Sequence, residues 1–355
     1  MKKFSILILV CLVKSTMLFS QQLITVQKAD TALFFTNIDS AMFYAATGDF
    51  IYLPGGTYTP AGSYLTISKQ VNIIGTGHYP DSTLATGQTV INGNLVITTG
   101  ADGGSVQGIY LTGIVRFGNS SSNNTVNGFS FSRCYFAADV SLTLNTTAVN
   151  PSTQNIYFSE NVFGSSVYLA NAVNVLLTKN IFNSHILQTN GQVSFLNNNF
   201  VFGYNTCGTH LFHHINGSIF INNIFLKMAD CFPYYGGNFT GNAFYNNMFS
   251  ANITFPWVGN IGNGNIVNQH PDSIFVNAGP APYTFTHDKD YHLKSASPGI
   301  NSGTDGTDIG IYGTAYPYKE GAVPLNPHIQ FQSVAPSTDS QGNLGIYFKV
   351  AAQSR

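Results

Sequence analysis

From residue 129 to residue 244 the chain alternates apolar and polar positions in bursts of three to five residues, and each burst ends at a bend. Residues 155–163, 174–182, 192–200, 217–225 and 238–244 share one pattern, a short alternating run followed by Asn-x-Phe: Asn161 and Phe163, Asn180 and Phe182, Asn198 and Phe200, Asn223 and Phe225, Asn242 and Phe244. An earlier copy, 129–136, has Cys134 where the others have Asn. Period-two alternation in such short runs predicts strands rather than helices. The motif steps are 27, 19, 18, 25 and 19 residues. Unequal steps near 20 exclude a heptad and a helical-hairpin repeat. They fit one coil of a parallel β-solenoid, with the length differences confined to a loop. Equivalent residues then stack about 4.8 Å apart. Phe158, Leu177, Phe195, Phe220 and Phe239, three positions or so before each Asn, should form one inward column, and the motif Phe residues a second. The Asn at the bend should bond along the stack.

The flanks read differently. Residues 37–47 carry Ile38, Met42, Phe43 and Ala46 at helical spacing before Gly48, predicting a helix that caps the open end of the solenoid. Residues 48–58 and 65–75 alternate between Gly and Pro turns as the opening strands. Residues 290–313 read as a last, irregular coil. Beyond Pro324 and Pro327, two apolar runs flank a turn at 339–343 and predict a hairpin. At the start, Lys2 and Lys3 precede an apolar run from Phe4 to Leu12. That run is too short to span a bilayer and reads as an export signal. The expected layout is a signal peptide over 1–20, the solenoid over 21–320 and a C-terminal β extension over 321–355, in a secreted protein without a membrane span.

Only 8% of residues are charged and the net charge is −1. There is no electrostatic footprint for nucleic acid. The polarity rests on Asn, Ser, Thr and Gly, the composition of strands and tight turns. After the signal three cysteines remain. Cys207 and Cys231 lie about one repeat apart, so they could be bridged or could stack as buried thiols.

The run Gly48-Asp-Phe-Ile-Tyr-Leu-Pro-Gly-Gly-Thr-Tyr58, with Leu65-Thr-Ile-Ser-Lys69 and Val71-Asn-Ile-Ile-Gly75, resembles the opening coils of pectin-lyase-like β-helix proteins. Ser297-Pro298, Ile300-Asn-Ser-Gly303 and Asp308-Ile-Gly310 resemble their closing stretch, and the style is similar to that of secreted Bacteroidetes-type proteins. The resemblance implies an all-β, right-handed parallel β-helix, often exported and often binding or cleaving polysaccharide. Lyases of that group need a basic residue beside a uronate carboxyl and hydrolases a cluster of Asp; neither pattern is evident here.

Candidate chemistry is sparse. His210, Lys227 and Asp230 are the densest ionisable set in the central coils, suited to a lyase or hydrolase acting on an acidic polysaccharide. Tyr204, His213, His214, Tyr234 and Tyr235 are candidates for sugar binding. His213 and His214 are adjacent, so in a regular strand they would face opposite ways. Asp288 with Asp290, or Asp305 with Asp308, could hold Ca²⁺, although turn capping explains them as well. Glu160 and Lys179 each precede a motif Asn and should form an outward surface pair. No nucleotide, zinc or nucleophile-elbow motif is present. The expected function is polysaccharide binding or action at the cell surface, against a lyase or hydrolase and against a structural or adhesion protein.

Overall fold

A computed structural model describes residues 23–118, 125–142, 153–169, 172–189, 193–202, 211–226, 239–256, 259–280 and 283–352. The described chain is a parallel β-helix. Its coils stack into three sheets. Sheet 1 has 12 strands, from Ala32–Phe35 at one end to Ile261–Asn263 at the other; sheet 2 has nine, and sheet 3 has seven. Only the first strands, Ile24–Gln27 and Ala32–Phe35, join sheet 1 antiparallel. Every later neighbour in the three sheets pairs in parallel, one coil apart.

The two Phe columns form as the pattern predicts. On sheet 1, Phe131, Phe158, Leu177, Phe195, Phe220 and Phe244 stack in register. On sheet 2 the column is Phe136, Phe163, Phe182, Phe200, Phe225 and Phe249, with ring centroids 4.5–4.9 Å apart. All of these residues are essentially fully buried. The last motif copy is displaced from the expected register. Asn247 and Phe249 follow Asn223 and Phe225, a step of 24 residues, while Phe244 belongs to the sheet 1 column. Phe239 stacks instead on Phe212. Asn242 heads a second, short ladder between Ser218 and Asn260 at another corner. Two Asn-x-Phe-like strings five residues apart compete there, and strand pairing selects the second.

The helix is shorter than expected. It spans Ile38–Tyr44 and is capped by the Asn37 side chain, which accepts from Ser40 N at 2.8 Å. Ile38, Ala41 and Met42 close the end of the core, whereas Phe43 and Ala46 face outward.

The stretch after residue 270 does not close a coil. Among the described residues, Phe275–Asn277 and Asp290–Leu293 pair only with each other, antiparallel. From there the chain runs back along the outside of the solenoid as a strap. It covers the outer face of sheet 2 and builds a second core there. Val162, Ile181, Ile224 and Met248 from the sheet pack with Ile274, Tyr283, Phe285, Tyr291, Ile309, Ile311 and Tyr318 from the strap. The strap then reaches the first coils. At Gly321 φ is +81°, and a Cβ would overlap the Ser82 hydroxyl. Gly321→Ala is therefore expected to cost about 1–3 kcal/mol, read as a lowered unfolding midpoint.

The tail ends as the expected hairpin, His328–Val334 against Ile346–Ala351. Its turn is held by the Asp339 carboxylate, which accepts from Gln341 N and Asn343 N, both at 2.8 Å.

Candidate functional site

The bend between sheets 1 and 2 places a single row of side chains along the outside of the solenoid. From the coil of Gly108 onward one residue turns the chain with a positive φ: Gly108, Arg133, Glu160, Lys179, Asn197, Asn222, Asn246 and Gly264, at 50–67°. The next residue points into the corner. There Asn161, Asn180, Asn198, Asn223, Asn247 and Asn265 form a ladder, each Oδ1 accepting from the backbone N–H of the preceding coil at 2.8–2.9 Å. Cys134, which stands in the Asn position at the upper end, gives its N–H to Asn161 Oδ1 at 2.9 Å, while its thiol donates to Val106 O at 3.6 Å. Its thiol is buried and pushed up to about 12 by desolvation.

Left-handed backbone is natural for Asn and costly for Arg, Glu and Lys. Those turn residues project outward and clip the strap, one coil after another. Asn246 Nδ2 donates to Ser302 O at 3.0 Å, and Asn222 exchanges bonds with Thr304. Asn197 Nδ2 reaches Gly310 O, and Lys179 Nζ donates to Tyr316 O at 2.6 Å. Glu160 Oε2 accepts from Lys319 N at 3.0 Å, and Arg133 Nη1 donates to Val323 O at 2.6 Å. Glu160 and Lys179 do not form the expected exposed pair. Glu160 is 9% exposed and takes Arg133 Nε as its partner at 3.1 Å. The reason is the strap, which covers this corner and which the local sequence pattern does not reveal.

Between the strap and the outer face of sheet 1 lies a groove of about 620 Å³. Gln107, Ser132 and Ser159 form its floor, Arg133 and Glu160 one edge, and Tyr316, Pro317 and Lys319 part of its wall. The polar outer face continues over neighbouring coils through Asn72, Ser105, Ser130 and Thr178, all partly exposed. Farther along it turns apolar with Leu176, Leu196 and the exposed Ile219 and Ile261.

Of the candidate catalytic and sugar-binding residues singled out from the sequence, His213 and His214 alone are among the described residues. Tyr204, His210, Lys227, Asp230, Tyr234 and Tyr235 fall outside the described residues, as do Cys207 and Cys231. His213 and His214 are described, on the sheet 3 strand Phe212–Ile215. His214 has φ +52°, so both imidazoles leave the core while Phe212 and Ile215 stay buried. Their ring centroids are 6.3 Å apart. Burial, followed by the nearby His185 and His214, holds His213 below its ordinary pKa. Alternation argued that the two rings diverge; the left-handed residue removes that objection. His185, one coil earlier, is the neighbour that the sequence reading missed.

The aspartates act as turn caps. Asp305 Oδ1 accepts from Thr307 N and Oγ1, and Asp308 Oδ1 accepts from Asn301 N. Asp290 holds His292 Nδ1 at 2.8 Å. Among the described residues no three His, Cys, Asp or Glu side chains gather in a way that could hold a metal ion. Nor is any described helix long and apolar enough to cross a membrane. No family model matches the chain, and no curated protein matches it significantly.

Proposed function

We propose that this chain is an exported, pectin-lyase-like β-helix protein that binds a polysaccharide along the groove between sheet 1 and the strap. The observation that carries the reading is the floor of that groove. Hydroxyl and amide side chains recur there coil after coil, with a spacing of about 4.8 Å set by the strand stack. Such a row suits a repeating, hydroxyl-bearing ligand. Tyr316, exposed on the wall, offers a face on which a sugar ring can pack. The Arg133 charge is matched by Glu160, and Lys179 spends one of its N–H groups on a strap carbonyl, so the groove holds no cluster of open cations for a uronate among the described residues. The reading therefore favours binding over a lyase reaction and does not require an acidic glycan.

The test is affinity electrophoresis of the purified chain in gels containing neutral or uronate polysaccharides, run beside an assay for unsaturated products by ultraviolet absorbance. Retardation by at least one polysaccharide, without new absorbance or reducing ends, is expected. No retardation by any of them would overturn the reading, and product release would replace it with the lyase or hydrolase alternative.

A further inference from the structure

The loop 76–88 grips the strap at two points, and one of them is a pair of histidines. His78 is completely buried, and its Nδ1 lies 3.3 Å from His287 Nε2, 209 residues later. The other His78 ring nitrogen, Nε2, is buried without a hydrogen-bond partner among the described residues. Aromatic rings surround the pair: Tyr79, Tyr135 and Phe285, with Tyr110 stacked on Tyr135 at 4.7 Å. The second grip is Tyr79 Oη to Tyr318 Oη at 3.1 Å.

The geometry points to an acid-released clasp: His78 and His287 hold the strap only while both imidazoles are neutral, and protonation frees it from the first coils. A single N–H···N bond joins two neutral rings. Two protonated rings would instead face each other as like charges, one of them with no access to water. The other groups in reach do not supply a compensating charge to His78. Tyr79 and Tyr135 are phenols pushed further up by burial, Tyr79 to about 12. Tyr318, behind Tyr79, is raised for the same reason, with Glu320 beyond it. Asp81 on the loop and Asp288 on the strap favour the charged form of His287, and Lys289 acts on Asp288. Burial outweighs both carboxylates, so His287 as well as His78 titrates below the ordinary 6.5 when docked.

The sign of the pH effect is set by those lowered values. Above about 6.5 both the docked and the released forms are neutral, and docking is at full strength. Below it the released histidines take up protons that the docked ones refuse, so docking weakens, by as much as about tenfold per pH unit for each histidine. Tyr316 and Lys319 wall the groove, so release of the strap would also dismantle that wall.

The test is hydrogen–deuterium exchange of the full chain at pH 7.5 and 5.0, corrected for intrinsic exchange and read on peptides covering 283–293 and 314–323. The wild-type protein should lose protection there by about tenfold or more at pH 5.0, while the Phe columns of the coils stay protected. His78→Phe fills the same aromatic pocket and cannot protonate, so only His287 still responds to acid and the strap should lose clearly less protection at pH 5.0 than in the wild type. If His78→Phe does not fold at pH 7.5, His287→Gln at the less buried position serves instead and should show a diminished response. Equal strap protection of the wild-type protein at the two pH values, or a variant as acid-sensitive as the wild type, would overturn the clasp.

Discussion

Asn180→Ala is expected to destabilise the protein by about 3–5 kcal/mol. Asn180 Oδ1 accepts from Asn161 N at 2.9 Å and from Asn161 Nδ2 at 3.0 Å. Its own Nδ2 donates to Phe158 O and to Asn198 Oδ1, both at 3.0 Å. Alanine leaves the Asn161 N–H without an acceptor and takes a donor from Phe158 O, in a corner with no solvent access. Each stranded buried group costs about 1–3 kcal/mol, and the small void beside the Phe columns adds to that. The neighbouring rungs cannot relax to fill the gap, because each is already bonded to coils above and below. Asn180→Asp restores the acceptor, removes the donor and introduces a buried charge, so it should also be destabilising. Asn263→Ala, on the exposed outer face of sheet 1, is the control and should change stability by no more than about 0.5 kcal/mol. Urea unfolding midpoints of the three variants check the set; equal effects of Asn180→Ala and Asn263→Ala would refute a stabilising ladder.

Glu160→Ala should cost about 3–5 kcal/mol, through a different route. The Arg133 side chain is 5% exposed and the Glu160 side chain 12%. Removing one member of a buried ion pair leaves the other charge desolvated and unmatched. The same carboxylate holds Lys319 N, so the strap loses an anchor as well. Replacing both residues, Arg133→Met with Glu160→Met, removes the stranded charge and should be less harmful than Glu160→Ala alone, because an ion pair in this setting contributes little net stability over apolar contacts. Thermal unfolding of the single and double variants measures this. A double variant worse than either single one would show that the pair contributes more than charge cancellation.

The scaffold was largely legible from the sequence because its signal is local and repeated. Inward Phe, outward Ser or Thr, and a corner Asn recur in one order, and parallel pairing has to superimpose them. The reading went astray where two strings compete. Asn242-Ala-Phe244 satisfies the motif as text, but its Phe pairs with Phe220 and not with Phe225. The strap was not legible at all. Its anchors join residues as far apart as Arg133 and Val323, and no periodicity links them. The retrospective clue is chemical: Arg133, Glu160 and Lys179 occupy a turn position that other coils give to Asn or Gly. A large side chain held in left-handed backbone signals that something outside the coil needs it. The ionisable set at His210, Lys227 and Asp230 lies outside the described residues, so the groove rests on other side chains, chiefly Ser132, Ser159 and Tyr316. Serine and glutamine carry little chemical signature in a chain this rich in polar, uncharged residues, and only the third dimension aligns them.

The most direct test of the groove is binding of the polysaccharide that retards the wild-type chain, measured by titration calorimetry on Ser159→Trp and on the double variant His213→Ala with His214→Ala. Ser159 faces outward from sheet 1, so an indole there fills the groove without entering the core. The account predicts at least a tenfold loss of affinity for Ser159→Trp at unchanged stability, and unchanged affinity for the histidine variant on sheet 3. Full binding by Ser159→Trp, or its loss on removal of the two histidines, would contradict it.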